Sequence, residues 1–121
     1  MFTITIDTTF QASHQLTLVD GQKEPLHSHD WIVRTAVCVE ELDQMQLAMD
    51  FHELQSMVQR VTAPFEDSQL ERMSCFESVN ASAEIVAKYI YDKIKPLLAP
   101  PLKLDYVEVT EEAQCRAKYS A

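Results

Sequence analysis

The fold is decided by two stretches, FTITIDTTFQASH at residues 2–14 and HSHDWIVRTAVCVE at residues 27–40, in which apolar and polar side chains alternate. Alternation with a period of two predicts a β-strand that buries one face. In the first stretch the apolar side ends at His14, and in the second it begins with His27 and His29. Turn-forming residues fill the segment between them, so we expect two strands joined by a loop.

Two amphipathic helices are predicted after these strands. Asp50 followed by Glu53 is a variant of the capping box, and apolar residues then recur at helical spacing down to Pro64. Ser82 caps the second helix, which Pro96 ends. The apolar stripes are Phe51, Leu54, Met57, Val58 and Val61 in the first helix and Ile85, Val86, Tyr89, Ile90 and Ile94 in the second.

The C-terminal part of the chain returns to a strand pattern. Residues 102–111 alternate and residues 114–119 are their candidate hairpin partner, whereas residues 65–80 have no regular pattern. The order of elements is therefore ββααββ. We expect an α+β fold, with an antiparallel four-stranded sheet and two helices on one face, forming a single domain over residues 1–121.

The composition excludes several kinds of site and partner. Gly21 is the only glycine among 121 residues, whereas phosphate-binding loops of the G-x-G-x-x-G type need several. Nineteen Asp and Glu against ten Lys and Arg give a net charge of −9, which repels nucleic acid and anionic membranes. We therefore expect a small-molecule ligand, no nucleic-acid partner and no membrane partner.

The N-terminal residues and the cysteines predict a cytoplasmic protein. The start MFTITIDTTF lacks the basic and apolar segments of a signal peptide, and no apolar run approaches the roughly 20 residues of a membrane span. Cys38, Cys75 and Cys115 are odd in number and widely spaced, which favours reduced thiols over a disulfide framework.

Three of the four histidines are spaced for a metal site. His27 and His29 project from one face of their strand about 7 Å apart, and His14 ends the neighbouring strand on the matching side. A catalytic zinc ion is typically held by three protein ligands, such as three imidazoles, and keeps its fourth position open for water or substrate. The alternative is three histidines without an ion, and we favour zinc because chance seldom aligns three strand ends. His52 follows a helix cap and is expected to face solvent.

Glu111 is the last alternating residue of the third predicted strand. A buried carboxylate there can accept two parallel N–H bonds from an amidine-like edge, such as that of a pterin or a guanine. The alternative is a solvated glutamate at a strand end, and Glu112 beside it weakens the signal.

Five short motifs follow one another along nearly the whole chain. They are F-x-A-x-H at Phe10–His14, H-x-H followed by Asp30-Trp31, Asp50-Phe51, Ser82-Ala83-Glu84 and V-E-V-T-E ending at Glu111. Together they resemble the 6-pyruvoyl-tetrahydropterin synthase family, which includes 6-carboxytetrahydropterin synthase of queuosine biosynthesis. The resemblance implies the tunnelling fold, whose ββααββ order agrees with the pattern of strands and helices.

The resemblance also implies a ligand set and an assembly. It implies zinc bound by His14, His27 and His29, a pterin anchored by Glu111 with Ser82 beside it, and sites built at the subunit interfaces of a trimer or hexamer. The family's substrate is dihydroneopterin triphosphate, on whose side chain the zinc ion and a general base act. The reaction implied is that of a lyase.

The chain departs from the family at the catalytic residues. Lys23 lies four residues before H-x-H, where the family has a catalytic cysteine, and Glu66-Asp67 replace the family's Asp-His relay. A subset of the family that makes 6-hydroxymethyldihydropterin for folate has a glutamate three residues before H-x-H, and Glu24 has that offset. Glu24 is therefore a candidate base if a pocket desolvates it, and a solvated loop glutamate is the equal alternative.

Two functions remain open at this point. The first is a zinc-dependent lyase acting on 7,8-dihydroneopterin or its triphosphate, with Glu24, Lys23, Glu66 and Asp67 as candidate catalytic residues. The second is a catalytically inactive paralogue that binds metal and pterin as a carrier or regulator. The net charge of −9 favours a substrate without phosphate unless nearby lysine or arginine residues offset it locally.

Overall fold

The two alternating stretches form a long antiparallel pair in the computed structural model, which describes residues 1–121. β1 (Phe2–His14) and β2 (His27–Val39) pair over all 13 residues, and the register sets His14 opposite His27. The predicted strands therefore have the predicted ends. Both histidines lie at the same end of the sheet because the two strands run in opposite directions.

A cross-strand ion pair supports this register on the face of the sheet that points away from the core. Arg34 lies opposite Asp7 and donates two hydrogen bonds to its carboxylate at 2.9 and 3.1 Å. A slip of one residue would separate this pair and would also turn the inward-facing residues of β1 toward solvent. The ion pair on the outward face and the buried residues on the inward face thus both fix the register that places His14 on the inward face.

Both helices pack on the inward face. α1 (Phe51–Thr62) begins where Asp50 accepts a backbone N–H at 2.8 Å, and α2 (Ala83–Ile94) begins where Ser82 accepts one at 3.3 Å. Phe51 differs from the prediction, because it lies exposed in the first turn rather than in the buried stripe. No helix has the length and apolar composition needed to cross a membrane.

The remaining strands complete the sheet. β3 (Ser68–Gln69) pairs in parallel with β1, β4 (Lys103–Glu112) pairs antiparallel with β2, and β5 (Cys115–Tyr119) returns beside β4. The order across the sheet is β3-β1-β2-β4-β5. The predicted α+β fold and ββααββ order are confirmed. The sheet differs from the predicted antiparallel four-stranded one, because β3 adds a fifth strand that pairs in parallel with β1. A strand of two residues cannot alternate visibly, so the pattern of the sequence does not reveal it.

The irregular segment between the helices consists of short turns that cover one end of the core. Single turns of 3-10 helix occupy Ala63–Phe65, Leu70–Arg72 and Ser74–Phe76, and a fourth, Lys95–Leu97, follows α2. Phe65, Leu70 and Phe76 are buried from this segment. The irregular segment is therefore packed against the core by one buried side chain in each of its short turns.

The aromatic part of the core ends at the histidines. Trp31 is fully buried, its ring stacks on Phe10 with 5.7 Å between centroids, and its indole N–H donates to the carbonyl of Ala12 at 3.1 Å. His14 meets the Trp31 ring edge to face at 4.9 Å. The stacked rings of Trp31 and Phe10 therefore pack beneath the imidazole of His14 and restrict its position.

Candidate functional site

Three histidines and one glutamate converge at one end of the sheet, on the side of the helices. Each of His14, His27, His29 and Glu111 offers a ligand atom, and all four atoms lie within 4.8 Å of one another. The side chain of His14 is 1% exposed, that of His29 is 14% exposed and that of His27 is 35% exposed. The cluster therefore runs from the core to the surface, so that a ligand can reach it from solvent.

Backbone carbonyls set the tautomers of two of these rings. Nδ1 of His14 lies 2.8 Å from the carbonyl oxygen of Ala81, and Nδ1 of His27 lies 3.1 Å from that of Pro25. A carbonyl oxygen only accepts, so each Nδ1 carries the proton and donates it. In the neutral rings each Nε2 then holds a lone pair that points into the cluster.

These two Nε2 atoms lie 2.6 Å apart. Two lone pairs at that distance repel each other unless a proton or a cation lies between them. His29 adds a third Nε2, which is buried and has no hydrogen-bond partner. Burial lowers the pKa of His29 and outweighs the opposite effect of Glu111. The lowered pKa keeps the His29 ring neutral near pH 7, so that it can act as a ligand.

The donor set fits a divalent metal. A single shared proton would satisfy one pair of nitrogens and would leave the third Nε2 unpaired, whereas a cation can accept all three lone pairs. Imidazole nitrogens are ligands that zinc prefers, and three of them leave a fourth position open for a substrate oxygen. The carbonyls that fix His14 and His27 are the kind of second-shell partner found behind histidine ligands in metal sites.

A β-bulge directs Glu111 into the cluster. Thr110 pairs with Arg116 and Glu112 with Cys115, so Glu111 is the extra residue on β4. Bulges of this kind redirect a side chain beside functional sites. The Glu111 carboxylate lies 3.2 Å from Nε2 of His14 and 3.7 Å from Nε2 of His29.

Glu24 lies at the outer edge of the cluster. Its Oε1 is 3.8 Å from Nε2 of His27 and accepts the backbone N–H of Leu16 at 3.2 Å. The side chain is 27% exposed, which is intermediate between a buried base and a solvated loop residue. Of the four residues predicted to be catalytic, Glu24 is the one within 4 Å of a histidine ligand atom.

The other three predicted catalytic residues lie apart from the histidines within one chain. Lys23 is exposed and lines a cleft of about 410 Å³ together with Gln15, Glu71 and Asn80. Glu66 and Asp67 are exposed at the outer edge of β1, where each bonds to the backbone of Gln11. Their roles in catalysis stay predictions.

A second cleft adjoins Glu111. Its volume is about 490 Å³, and it lies between the first turn of α2 and the hairpin of β4 and β5. Its lining includes Glu111, Cys115, Arg116 and Lys118. Ser82 lies beside this cleft at the cap of α2, where its hydroxyl oxygen accepts the N–H of Ile85. The volume is within the usual range for a small-molecule site.

Sequence reasoning missed the carbonyl groups that orient the histidines. Ala81 and Pro25 act through backbone atoms, so their side chains carry no signal of this role. His52, expected to face solvent, is exposed in the first turn of α1. All three cysteines are free thiols, as predicted.

Comparison with known proteins identifies a family and solved structures that share this fold. The family model described as 6-pyruvoyl tetrahydropterin synthase matches residues 3–121. The solved structure of Caenorhabditis elegans 6-pyruvoyl tetrahydropterin synthase has a TM-score of 0.84 at 18% identity, covering 99% of this chain and 95% of that one. That of the Plasmodium vivax enzyme has a TM-score of 0.79 at 14% identity, covering 99% and 97%.

A further structure of the Plasmodium vivax protein carries an alanine in place of a glutamate that is described there as a catalytic residue. It has a TM-score of 0.78 at 15% identity and covers 99% of this chain and 97% of that one. At such identities the likeness of these structures shows a shared fold. The family model covers nearly the whole sequence, and the chain therefore belongs to the 6-pyruvoyl tetrahydropterin synthase family.

Proposed function

We propose that this protein is a zinc-dependent pterin lyase of the 6-pyruvoyl-tetrahydropterin synthase type. The observation that carries the proposal is the convergence of three imidazole Nε2 atoms and the Glu111 carboxylate within 4.8 Å. His14, His27 and His29 would hold the zinc ion. When bound, zinc acts as a Lewis acid that polarises oxygen atoms of the substrate side chain.

Glu111 is the proposed anchor of the pterin ring. Its carboxylate can accept two parallel N–H bonds from the 2-amino-pyrimidinone edge of a pterin, and the 490 Å³ cleft begins at this residue. Ser82 lies at the cap of α2 beside the cleft. Its oxygen accepts the N–H of Ile85, and its hydroxyl proton can donate to the ligand at the same time, because a hydroxyl group is both acceptor and donor. The ring would thus be held at one end of the cleft and its side chain would point toward the histidines.

Glu24 is the proposed general base. Its carboxylate lies 3.8 Å from Nε2 of His27, so a substrate side chain held at the histidines would lie within reach of it. A glutamate described as a catalytic residue in the related Plasmodium vivax protein supports this assignment. Glu24 would take the proton of the 2′-hydroxyl group of the side chain, the C1′–C2′ bond would break, and glycolaldehyde would leave. The proton would then return to C1′ and give 6-hydroxymethyldihydropterin, so no phosphate is needed as a leaving group.

The sheet has two free edges that support self-association as a trimer or hexamer. β5 forms one edge, and β1 forms the other except where β3 pairs with Ala12 and Ser13. Adjacent strands of β1, β2, β4 and β5 alternate in direction, so β5 of one copy can pair antiparallel with β1 of the next and close a ring.

Such a ring would also bring distant predicted residues to the site. The end of β1, the end of β4 and the start of β5 lie at the same end of the sheet. Glu66 and Asp67 of a neighbouring copy would then lie beside the cleft of Glu111. We therefore propose that these two residues act across the subunit interface.

The charge balance favours a substrate without phosphate, 7,8-dihydroneopterin, over its triphosphate. The chain carries a net charge of −9, and the cations nearest the two clefts are Lys23, Arg116 and Lys118. These would have to offset both the acidic surface and the carboxylates of the site before a triphosphate could bind.

Turnover by the zinc-loaded protein tests the proposal. Both pterins are incubated with the wild type and with Glu24→Gln, and the products are identified by mass spectrometry. We expect 7,8-dihydroneopterin to be converted, with a rate in Glu24→Gln lower by about 100-fold, within the range of general-base catalysis. Glu112→Gln, which changes an exposed neighbour of the site, is the control for loss of a carboxylate.

The second candidate function is an inactive paralogue that binds pterin and metal. Lys23 in place of the family's cysteine and Asp67 in place of its histidine favour it. It predicts that both pterins bind to the zinc-loaded protein and are recovered unchanged, with Glu24→Gln binding them as tightly as the wild type does. That result would rule out the lyase.

A further inference from the structure

Three successive backbone amides that follow His14 are held by side chains rather than by the sheet. The N–H groups of residues 15, 16 and 17 donate to oxygens of Glu71 at 3.1 Å, Glu24 at 3.2 Å and Asn80 at 2.8 Å, respectively. The acceptors come from three separate parts of the chain. Side chains thus determine where the segment between β1 and β2 lies relative to the histidines.

Asn80 makes the most complete of these contacts. Its Oδ1 accepts the N–H of Thr17 at 2.8 Å, and its Nδ2 donates to the carbonyl of the same residue at 3.0 Å. A carboxamide has both an acceptor and a donor, and it can therefore pair with one residue's backbone as a neighbouring strand would. Asn80 is the only asparagine of the chain.

The two hydrogen bonds between Asn80 and Thr17 form a clamp, and the residues next to this clamp belong to the candidate site. Leu16, next to Thr17, is joined to Glu24 by two hydrogen bonds, from its N–H to Oε1 at 3.2 Å and from the N–H of Glu24 to its carbonyl at 3.0 Å. On the other side, Ala81 follows Asn80 directly and accepts the Nδ1 proton of His14 at 2.8 Å. The exposed side chain of Asn80 thus links the loop that contains Glu24 to Ala81, whose carbonyl orients His14.

We infer that Asn80 is a positioning residue of this site, because its clamp on Thr17 fixes both the Glu24 carboxylate and the carbonyl that orients His14. The inference rests on the proposed function only where it treats Glu24 as a base and His14 as a zinc ligand. The contacts of Asn80 themselves are independent of any reaction. Two measurements therefore test the positioning by Asn80 separately from the proposed catalysis by Glu24.

The first readout needs no turnover. Amide hydrogen exchange and the zinc dissociation constant, obtained by chelator competition, are measured for wild type, Asn80→Ala and Gln22→Ala. Gln22 is an exposed amide of the same loop whose side chain makes no hydrogen bond, so it is a matched control. In Asn80→Ala we expect exchange at Leu16 and Thr17 to rise about tenfold, as for the loss of one hydrogen bond.

Zinc affinity should change in the same variant. We expect the zinc dissociation constant of Asn80→Ala to rise about fivefold, below the 10- to 100-fold effect of a group bonded directly to a ligand. Asn80 is exposed, so the variant should fold and melt within a few degrees of the wild type. Exchange at Leu16 or zinc affinity equal to that of Gln22→Ala would overturn the inference.

The second readout is a double-mutant cycle with Glu24. If Asn80 acts through Glu24, Asn80→Ala should lower kcat about fivefold in the wild type and less than about twofold in the Glu24→Gln background. Equal losses in both backgrounds would refute action through Glu24. If the wild type converts neither pterin, the proposed lyase is refuted, while exchange and zinc affinity still decide the role of Asn80.

Discussion

Zinc should stabilise this protein strongly, and His29 should be required for that effect. We compare the melting temperatures of wild type, His29→Ala and His52→Ala with zinc and with a chelator. His29 is chosen because its Nε2 is buried without a hydrogen-bond partner, and its side chain lies closer to the surface than that of His14. His52→Ala removes the remaining histidine, which lies exposed in α1, and is the matched control.

The size of the effect follows from linkage. A ligand at 100 times its dissociation constant stabilises the folded state by about 2.7 kcal/mol. For a chain of 121 residues about 1 kcal/mol shifts the melting temperature by roughly 4 °C, so zinc should raise it by about 10 °C. If loss of His29 weakens binding about 100-fold, the same zinc concentration contributes only about 0.4 kcal/mol, a shift of roughly 2 °C.

Differential scanning fluorimetry measures these shifts directly. The zinc-induced change is compared within each variant, so a lower melting temperature of chelated His29→Ala does not affect the result. His52→Ala should keep the full shift of about 10 °C. A full shift in His29→Ala, or a shift below about 2 °C in the wild type, would refute the assignment of this cluster as a zinc site.

Two further predictions concern the ligand and the assembly. Glu111→Gln should weaken pterin binding to the zinc-free protein by about 10- to 100-fold, as expected for loss of a charged hydrogen-bond acceptor. Ligand fluorescence measures this, Glu112→Gln should bind as the wild type does, and equal affinities of the two variants would contradict the anchor. Light scattering after gel filtration should give three or six times the chain mass of 13.9 kDa, and a monomer at micromolar concentration would contradict pairing of the free edges.

The elements with strong local patterns could be predicted from the sequence. The alternation of β1 and β2 places His14, His27 and His29 on one face, and a connection that contains no helical pattern favours antiparallel pairing of the two strands. The shared face and the antiparallel pairing together bring the three histidines to the same end of the sheet. The caps Asp50 and Ser82 likewise mark the starts of α1 and α2, because an N-cap is a local contact.

The contacts that complete the site could not be predicted in the same way. The bond of His14 to Ala81 spans 67 residues, and that of Thr17 to Asn80 spans 63. Such contacts depend on how the irregular segments pack, for which no periodic pattern exists. Glu24 is an intermediate case, because its offset from H-x-H identifies it as a candidate, whereas its distance of 3.8 Å from Nε2 of His27 depends on the path of the loop between β1 and β2.

Anomalous X-ray scattering at the zinc edge, from crystals grown with zinc and 7,8-dihydroneopterin, shows whether the three histidines hold a zinc ion that faces a pterin anchored on Glu111. We predict one strong anomalous peak within bonding distance, about 2.1 Å, of Nε2 of His14, His27 and His29. The pterin should lie in the adjoining cleft with its amino-pyrimidinone edge on Glu111. A peak at other residues, or a pterin that does not contact Glu111, would contradict this arrangement of zinc and pterin.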